Sequence, residues 1–215
     1  MLALPGCFGT RGVDFSFDPG YRFDQIHRIA IVSPANPPAF SGLSGVLSDS
    51  AARSLSRRYR VYYGNGLERL VAAGGVARPY QTLVKSLRAG GPIDADLMRQ
   101  VGRAIGVDAF FYQAIGSLSQ TLENGPTTST MQVEQDRGYR YGTITQNPTS
   151  AMVTLVRLGA QLYDVATGMV VWSGSKEVTT TSNIADSGFG WIFRRIDDAF
   201  VATIPVAAPA GARAS

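Results

Sequence analysis

The stretch Ala151–Thr180, AMVTLVRLGAQLYDVATGMVVWSGSKEVTT, reads as two long strands joined by a tight turn. Along the first strand Met152, Val156, Leu158, Ala160 and Leu162 recur at period two and so share one face. Val170, Trp172 and Val178 form the matching face of the second. Between them Asp164 offers a carboxylate to local amides, and Thr167-Gly168 ends in a residue free to take positive φ. For Leu162 and Val170 to meet the same core, an odd number of residues must separate the paired positions, which fits a loop closed by a glycine bulge. That register sets Trp172 opposite Ala160, large against small.

Working outward, the chain of 215 residues suits one domain with tails, large enough to bury ~70% of its unfolded surface. The formal charge is +4, carried almost wholly by arginine, since Lys85 and Lys176 are the only lysines. The arginines are scattered apart from Arg57-Arg58 and Arg194-Arg195, a pattern of solvated helix faces rather than a nucleic-acid stripe. One cysteine, Cys7, and one histidine, His27, leave no intramolecular disulfide and no nitrogen–sulfur metal set. No cofactor and no metal ligands are assigned. No apolar run is long enough to cross a bilayer as a helix.

Residues 1–24 read as a front segment and an extended lead-in, with Phe15, Phe17, Tyr21 and Phe23 lying on the domain. Ile26–Ser33, IHRIAIVS, is a buried strand stopped by Pro34, Pro37 and Pro38. Leu43, Val46, Leu47, Ala51, Leu55 and Tyr59 then mark one stripe of an amphipathic helix, and Tyr59–Tyr63 a second strand. Strand–helix–strand order implies a parallel pair. Asn65 caps a short helix ended by Gly74-Gly75, and Tyr80–Arg88 forms another. Asp94 caps a third, Ala95–Ile105, with Leu97, Met98, Val101 and Ile105 inward and Gly106 as its stop. Asp108–Ser117 opens the third strand. Leu118–Ser150 is a polar insertion rich in Thr, Ser, Gln and Tyr, too long for a hairpin loop. It is either solvated and partly disordered or a ribbon pairing Thr127–Gln135 with Tyr139–Thr145; in the ribbon Tyr139 and Tyr141 share a face. Trp191–Ile204 is a last amphipathic helix, with Asp197 and Asp198 off its apolar stripe, and 205–215 is a disordered tail. The fold class is therefore α/β: a mixed sheet of about five strands, parallel at its start and closed by an antiparallel hairpin, flanked by helices, within a single domain of residues 25–204.

Three segments in this order, IHRIAIVSPAN (26–36), GRAIGVDAFFYQAIGSLS (102–119) and LGAQLYDVATGMVVWSGS (158–175), resemble a family of bacterial envelope lipoproteins. The family includes the curli-secretion protein CsgG, the peptidoglycan-synthase activator LpoB and the N-terminal domain of TolB. Leu4-Pro5-Gly6-Cys7 is similar to a lipobox, which marks Cys7 as the expected lipid attachment site, although few residues precede it and a signal needs an apolar stretch of ~7–15. Phe8 in place of Asp after the cysteine implies release to the outer membrane. The resemblance implies a domain held by lipid at the periplasmic face of the outer membrane, without enzymatic activity, binding or scaffolding cell-envelope proteins, with Tyr139 and Tyr141 as candidate contacts and no nucleic acid. An alternative is an oligomeric subunit of an outer-membrane secretion or assembly complex. A pore is disfavoured because the insertion is too polar for lipid-facing strands. A carboxylate-dependent hydrolase is the weakest reading. Asp94, Asp96, Asp108, Asp164 and Asp186 are its candidates, but Asp94 and Asp164 already have structural work as cap and turn.

Overall fold

A computed structural model of the chain describes residues 12–35, 42–90, 93–136, 139–183 and 189–206. Its centre is a six-stranded mixed sheet in the order β1-β6-β5-β4-β2-β3. The strands are β1 Asp14–Phe17, β2 Arg28–Ala35, β3 Arg60–Tyr62, β4 Ala109–Asp136, β5 Tyr139–Asp164 and β6 Val170–Asn183. β2 runs parallel to both β3 and β4, and every other pairing is antiparallel. The sheet has one strand more than the five expected: β1, from the lead-in, pairs with β6 from Asp14↔Ser175 to Phe17↔Trp172.

The run Ile29-Ala30-Ile31-Val32 is apolar without alternation because helices cover β2 on both sides. Ile29 and Ile31 enter one core with Phe111, Leu158, Leu162 and Trp172; Ala30 and Val32 enter the other with Phe110, Tyr112 and Tyr163. The first core is closed by α1 (Ser44–Leu55) and α5 (Gly190–Thr203). The second is closed by α2 (Gly64–Ala73), α3 (Ala77–Ala89) and α4 (Ala95–Ile105). α4 starts as the sequence predicts. Asp94 Oδ1 accepts from the N–H of Asp96 at 2.8 Å and of Leu97 at 3.3 Å, and Asp94→Ala should cost about 1 kcal/mol, read as a lower thermal midpoint.

Several expectations are corrected. Asn65 lies inside α2, whose N-cap position is Tyr63 and carries no side-chain cap bond. Val46 is exposed rather than inward. β2 continues through Pro34 to Ala35, two residues past Ser33. In the central hairpin Trp172 lies opposite Leu162, and Ala160 opposite Gly174. The register shifts between Leu162 and Tyr163, so that Tyr163 pairs with Val170 and Val171 is the bulged residue. Val171 and Trp172 are both buried while Val170 is 40% exposed, so Val170 does not share the face of Trp172 and Val178. The polar insertion is a direct continuation of β4 and β5, with residues 137–138 between the strands outside the described set.

Candidate functional site

The turn that closes the central hairpin is built round Asp164. Its Oδ2 accepts from Thr167 N–H and Thr167 Oγ1, each at 2.8 Å, and Gly168, at φ +73°, donates its N–H to the Asp164 carbonyl at 2.9 Å. Asp164 Oδ1 accepts from the Tyr21 hydroxyl at 2.7 Å, which ties the segment after β1 to the turn. Burial, then this bond to a carboxylate, push the Tyr21 phenol well above its ordinary range. Asp108 accepts from the N–H groups of His27 at 3.0 Å and Arg28 at 2.8 Å and from the Arg28 guanidinium at 3.0 Å. Burial pushes its carboxyl up, but the guanidinium and the two amides outweigh that and hold it below the usual range. Asp96 pairs with Arg99. Each described carboxylate of the candidate set is thus engaged locally, as cap, turn or ion-pair partner. Asp186 lies outside the described residues. Among the described residues no group of three or more His, Cys, Asp or Glu could hold a metal ion, and no helix is long and apolar enough to cross a membrane.

Two surfaces remain available for recognition. The first is a β-ribbon. β4 and β5 stay paired from Ala109↔Asp164 to Asp136↔Tyr139, with shifts between Ile115 and Ser117 and between Asn124 and Thr127. β6 accompanies them only as far as Ala151↔Asn183. Beyond that point two strands continue alone for about 40 Å at ~3.3 Å per residue. Tyr139 and Tyr141 stand at the far end, opposite Asp136 and Glu134. Their side chains lie outside what is described, as does Cys7 entirely. The second surface is the half of the sheet that α2–α4 leave open. There a shallow hollow of about 520 Å³ is lined by Asp14, Ser16, Tyr112, Gln161, Ser173 and Ser175. Ser16 Oγ and Ser173 Oγ lie 2.8 Å apart, and the Tyr163 hydroxyl donates to Gln161 Oε1 at 2.6 Å. The lining supplies hydroxyls, an amide and a carboxylate for hydrogen bonding, without a nucleophile set against a base.

The sequence matches no protein-family model and no curated protein. Solved structures that align with this chain include a PelC dodecamer from Paraburkholderia phytofirmans, 15% identical, where the match covers 91% of this chain and 99% of that one at a TM-score of 0.46. Lipoprotein GNA1162 from Neisseria meningitidis is 20% identical over 79% of this chain and 94% of its own, with a TM-score of 0.42. The LpoB C-terminal domain from Salmonella enterica is 12% identical over 71% and 82%, with a TM-score of 0.38. One of these neighbours is a lipoprotein, and likeness to CsgG and TolB is not shown by them. With identities of 20% or less and TM-scores below 0.5, neither activity nor assembly of this chain follows from them.

One polar group was misplaced by sequence reasoning. Asp197, expected off the apolar stripe of α5, is 1% exposed. The buried face of α5 is wider than one stripe, because the helix lies between the sheet and α1: Phe193 and Val201, four residues either side of Asp197, are buried too. Gln113 on β4 donates its Nε2 to Asp197 Oδ1. Ser50 on α1 is buried beside it, yet neither Ser50 Oγ nor Asp197 Oδ2 makes a bond within ordinary geometric limits. Burial pushes the Asp197 carboxyl up to about 7; Ser50 and Gln113 oppose that rise and the Asp198 charge adds to it. A period count assigns one stripe to a helix and could not have found this. The only signal in the sequence was Gln113 itself, an amide between Phe111 and Ile115 on the core-facing side of a strand.

Proposed function

We propose that this chain is a non-catalytic protein of the bacterial envelope, anchored by lipid at Cys7 to the periplasmic face of the outer membrane, which binds other envelope proteins through the β4–β5 ribbon. The observation that carries the reading is the ribbon. Past Ala114 on β4 and past Ala151 on β5 no other described strand pairs with it, so both outer edges present main-chain donors and acceptors. Such edges take up an added strand from a partner, and side chains on the ribbon then set which partner. Tyr139 and Tyr141 are the proposed contacts at its end.

The test shortens the ribbon. Residues 124–150 are replaced by Asn-Gly, joining the paired residues Glu123 and Ala151 by a two-residue turn. The shortened chain should melt within a few degrees of the parent, since the two cores are untouched. A photo-crosslinking side chain at position 139 or 141 of the full chain should capture one or more envelope proteins, and the shortened chain should not co-purify with them. Capture that persists without the ribbon counts against it as the binding element. Membrane-fraction recovery of Cys7→Ala tests the anchor separately: the variant should appear in the soluble fraction.

A second reading, an oligomeric subunit, is favoured by the edge strand β1. Phe15 and Phe17 are 48% and 43% exposed there, with their rings stacked at 6.3 Å. Mass measured by light scattering, compared between the parent and Phe15→Ser/Phe17→Ser, separates a monomer from an assembly closed at this edge.

A further inference from the structure

We propose that Asp197 is a proton-binding site that couples the α1–α5 layer to the sheet: α5 is fully seated with the Asp197 carboxyl protonated, and loss of that proton loosens the helix. The geometry leads to this. Asp197 projects from the middle of α5 into the core that also holds Phe193, Ile196 and Phe200. Gln113 donates to one carboxyl oxygen, and the other is buried without a partner next to Ser50 Oγ, likewise buried and unpartnered. A proton on Oδ2 directed at Ser50 Oγ would satisfy both atoms in one O–H···O bond and leave no net charge in the core.

The ionised form can still accept the Ser50 hydroxyl, but it leaves a net charge in the core. From α1 the facing group is the Ser50 hydroxyl, from β4 the Gln113 amide, and from α5 itself the like charge of Asp198. Arg57, in the turn after α1, pairs with Asp198 at 3.2 Å, and Ser54 Oγ donates to Asp198 at 2.6 Å. Arg58 is spent on the carbonyls of Val201 at 2.7 Å and Ile204 at 3.3 Å. From β6, Lys176 is buried on the same side of the sheet, but the charge that acts on it is Arg195. None of these cations acts on Asp197, so a charge there is uncompensated.

The folded chain therefore holds this proton more tightly than the unfolded one, whose aspartate titrates near 3.8, by roughly a thousandfold. Between those two values the folded state binds more protons. Stability contributed by the group is complete below pH ~4, falls as pH rises towards 7, and is lost above it. The carboxyl carbon of Asp197 in isotope-labelled protein, assigned by its loss in Asp197→Asn, should titrate with a midpoint near 7. A midpoint in the ordinary aspartate range would overturn the proposal, and this measurement needs only the parent fold. Thermal midpoints between pH 5 and 8 should fall for the parent and stay flatter for Asp197→Asn. Amide exchange in α5, corrected for intrinsic rates, should lose protection over the same interval in the parent alone. Equal pH slopes, or α5 protection that does not change with pH, would also overturn it.

Discussion

Gly168→Val is expected to lower stability by about 3 kcal/mol, a fall in melting temperature of roughly 10 °C. Two separate effects produce it. Gly168 sits at φ +73°, a region in which a β-branched residue is strained. In addition, a β-carbon built there would stand 2.5 Å from Ala95 Cβ and 2.6 Å from Ala95 Cα. Ala95 is the first residue of α4 and is held in place by the Asp94 cap, so it cannot retreat without disturbing a helix start. The two effects separate experimentally. Gly168→Asn keeps a residue that tolerates positive φ and isolates the collision; Ala95→Gly combined with Gly168→Ala relieves part of the collision and leaves the backbone strain. Each should fall between parent and valine variant. An unchanged melting temperature for Gly168→Val would count against the turn assignment.

That turn was legible because its chemistry is local. Asp164, Thr167 and Gly168 lie within five residues and bond to one another whatever surrounds them. The same holds for Asp94 and α4. The features that escaped are settled by distant partners. β1 contributes four exposed residues, and nothing in DFSF announces that its neighbour is Trp172–Ser175 on β6. The register of the central hairpin was missed by one bulge: parity is correct for Leu162 as far as it goes, but a shift at Val171 moved Trp172 from Ala160 to Leu162. Composition described 118–150 well and its structure poorly, because a polar ribbon and a solvated loop draw on the same residue types. Asp197 was misplaced because the width of a helix's buried face depends on what packs on it from both sides. Tyr139 and Tyr141 were singled out by alternation alone; both stand on β5, opposite Asp136 and Glu134 of β4.

Trp172→Ala is expected to have the largest effect in the chain, about 3–5 kcal/mol. Trp172 is 0% exposed and joins three elements at once. Its ring stacks on Phe111 of β4 at 6.4 Å and meets Phe200 of α5 edge-on at 5.8 Å. Beneath it on the same strand is Gly174, where a β-carbon would lie 2.7 Å from Trp172 Cη2 and Cζ2. The space is therefore filled from every side, and removal leaves a void that a sheet strand and a helix cannot close together. Gly174→Ala tests the same packing from the opposite direction: it should force the indole off its position and cost about 1–3 kcal/mol, though alanine is the smallest change possible there. Trp191, 41% exposed near the start of α5, is the control, and Trp191→Ala should shift stability by no more than about 1 kcal/mol. Denaturant midpoints read all three. A fall in midpoint with an unchanged slope means that Trp172 holds the native core together; equal losses for Trp172→Ala and Trp191→Ala would mean that the core is not organised round this ring.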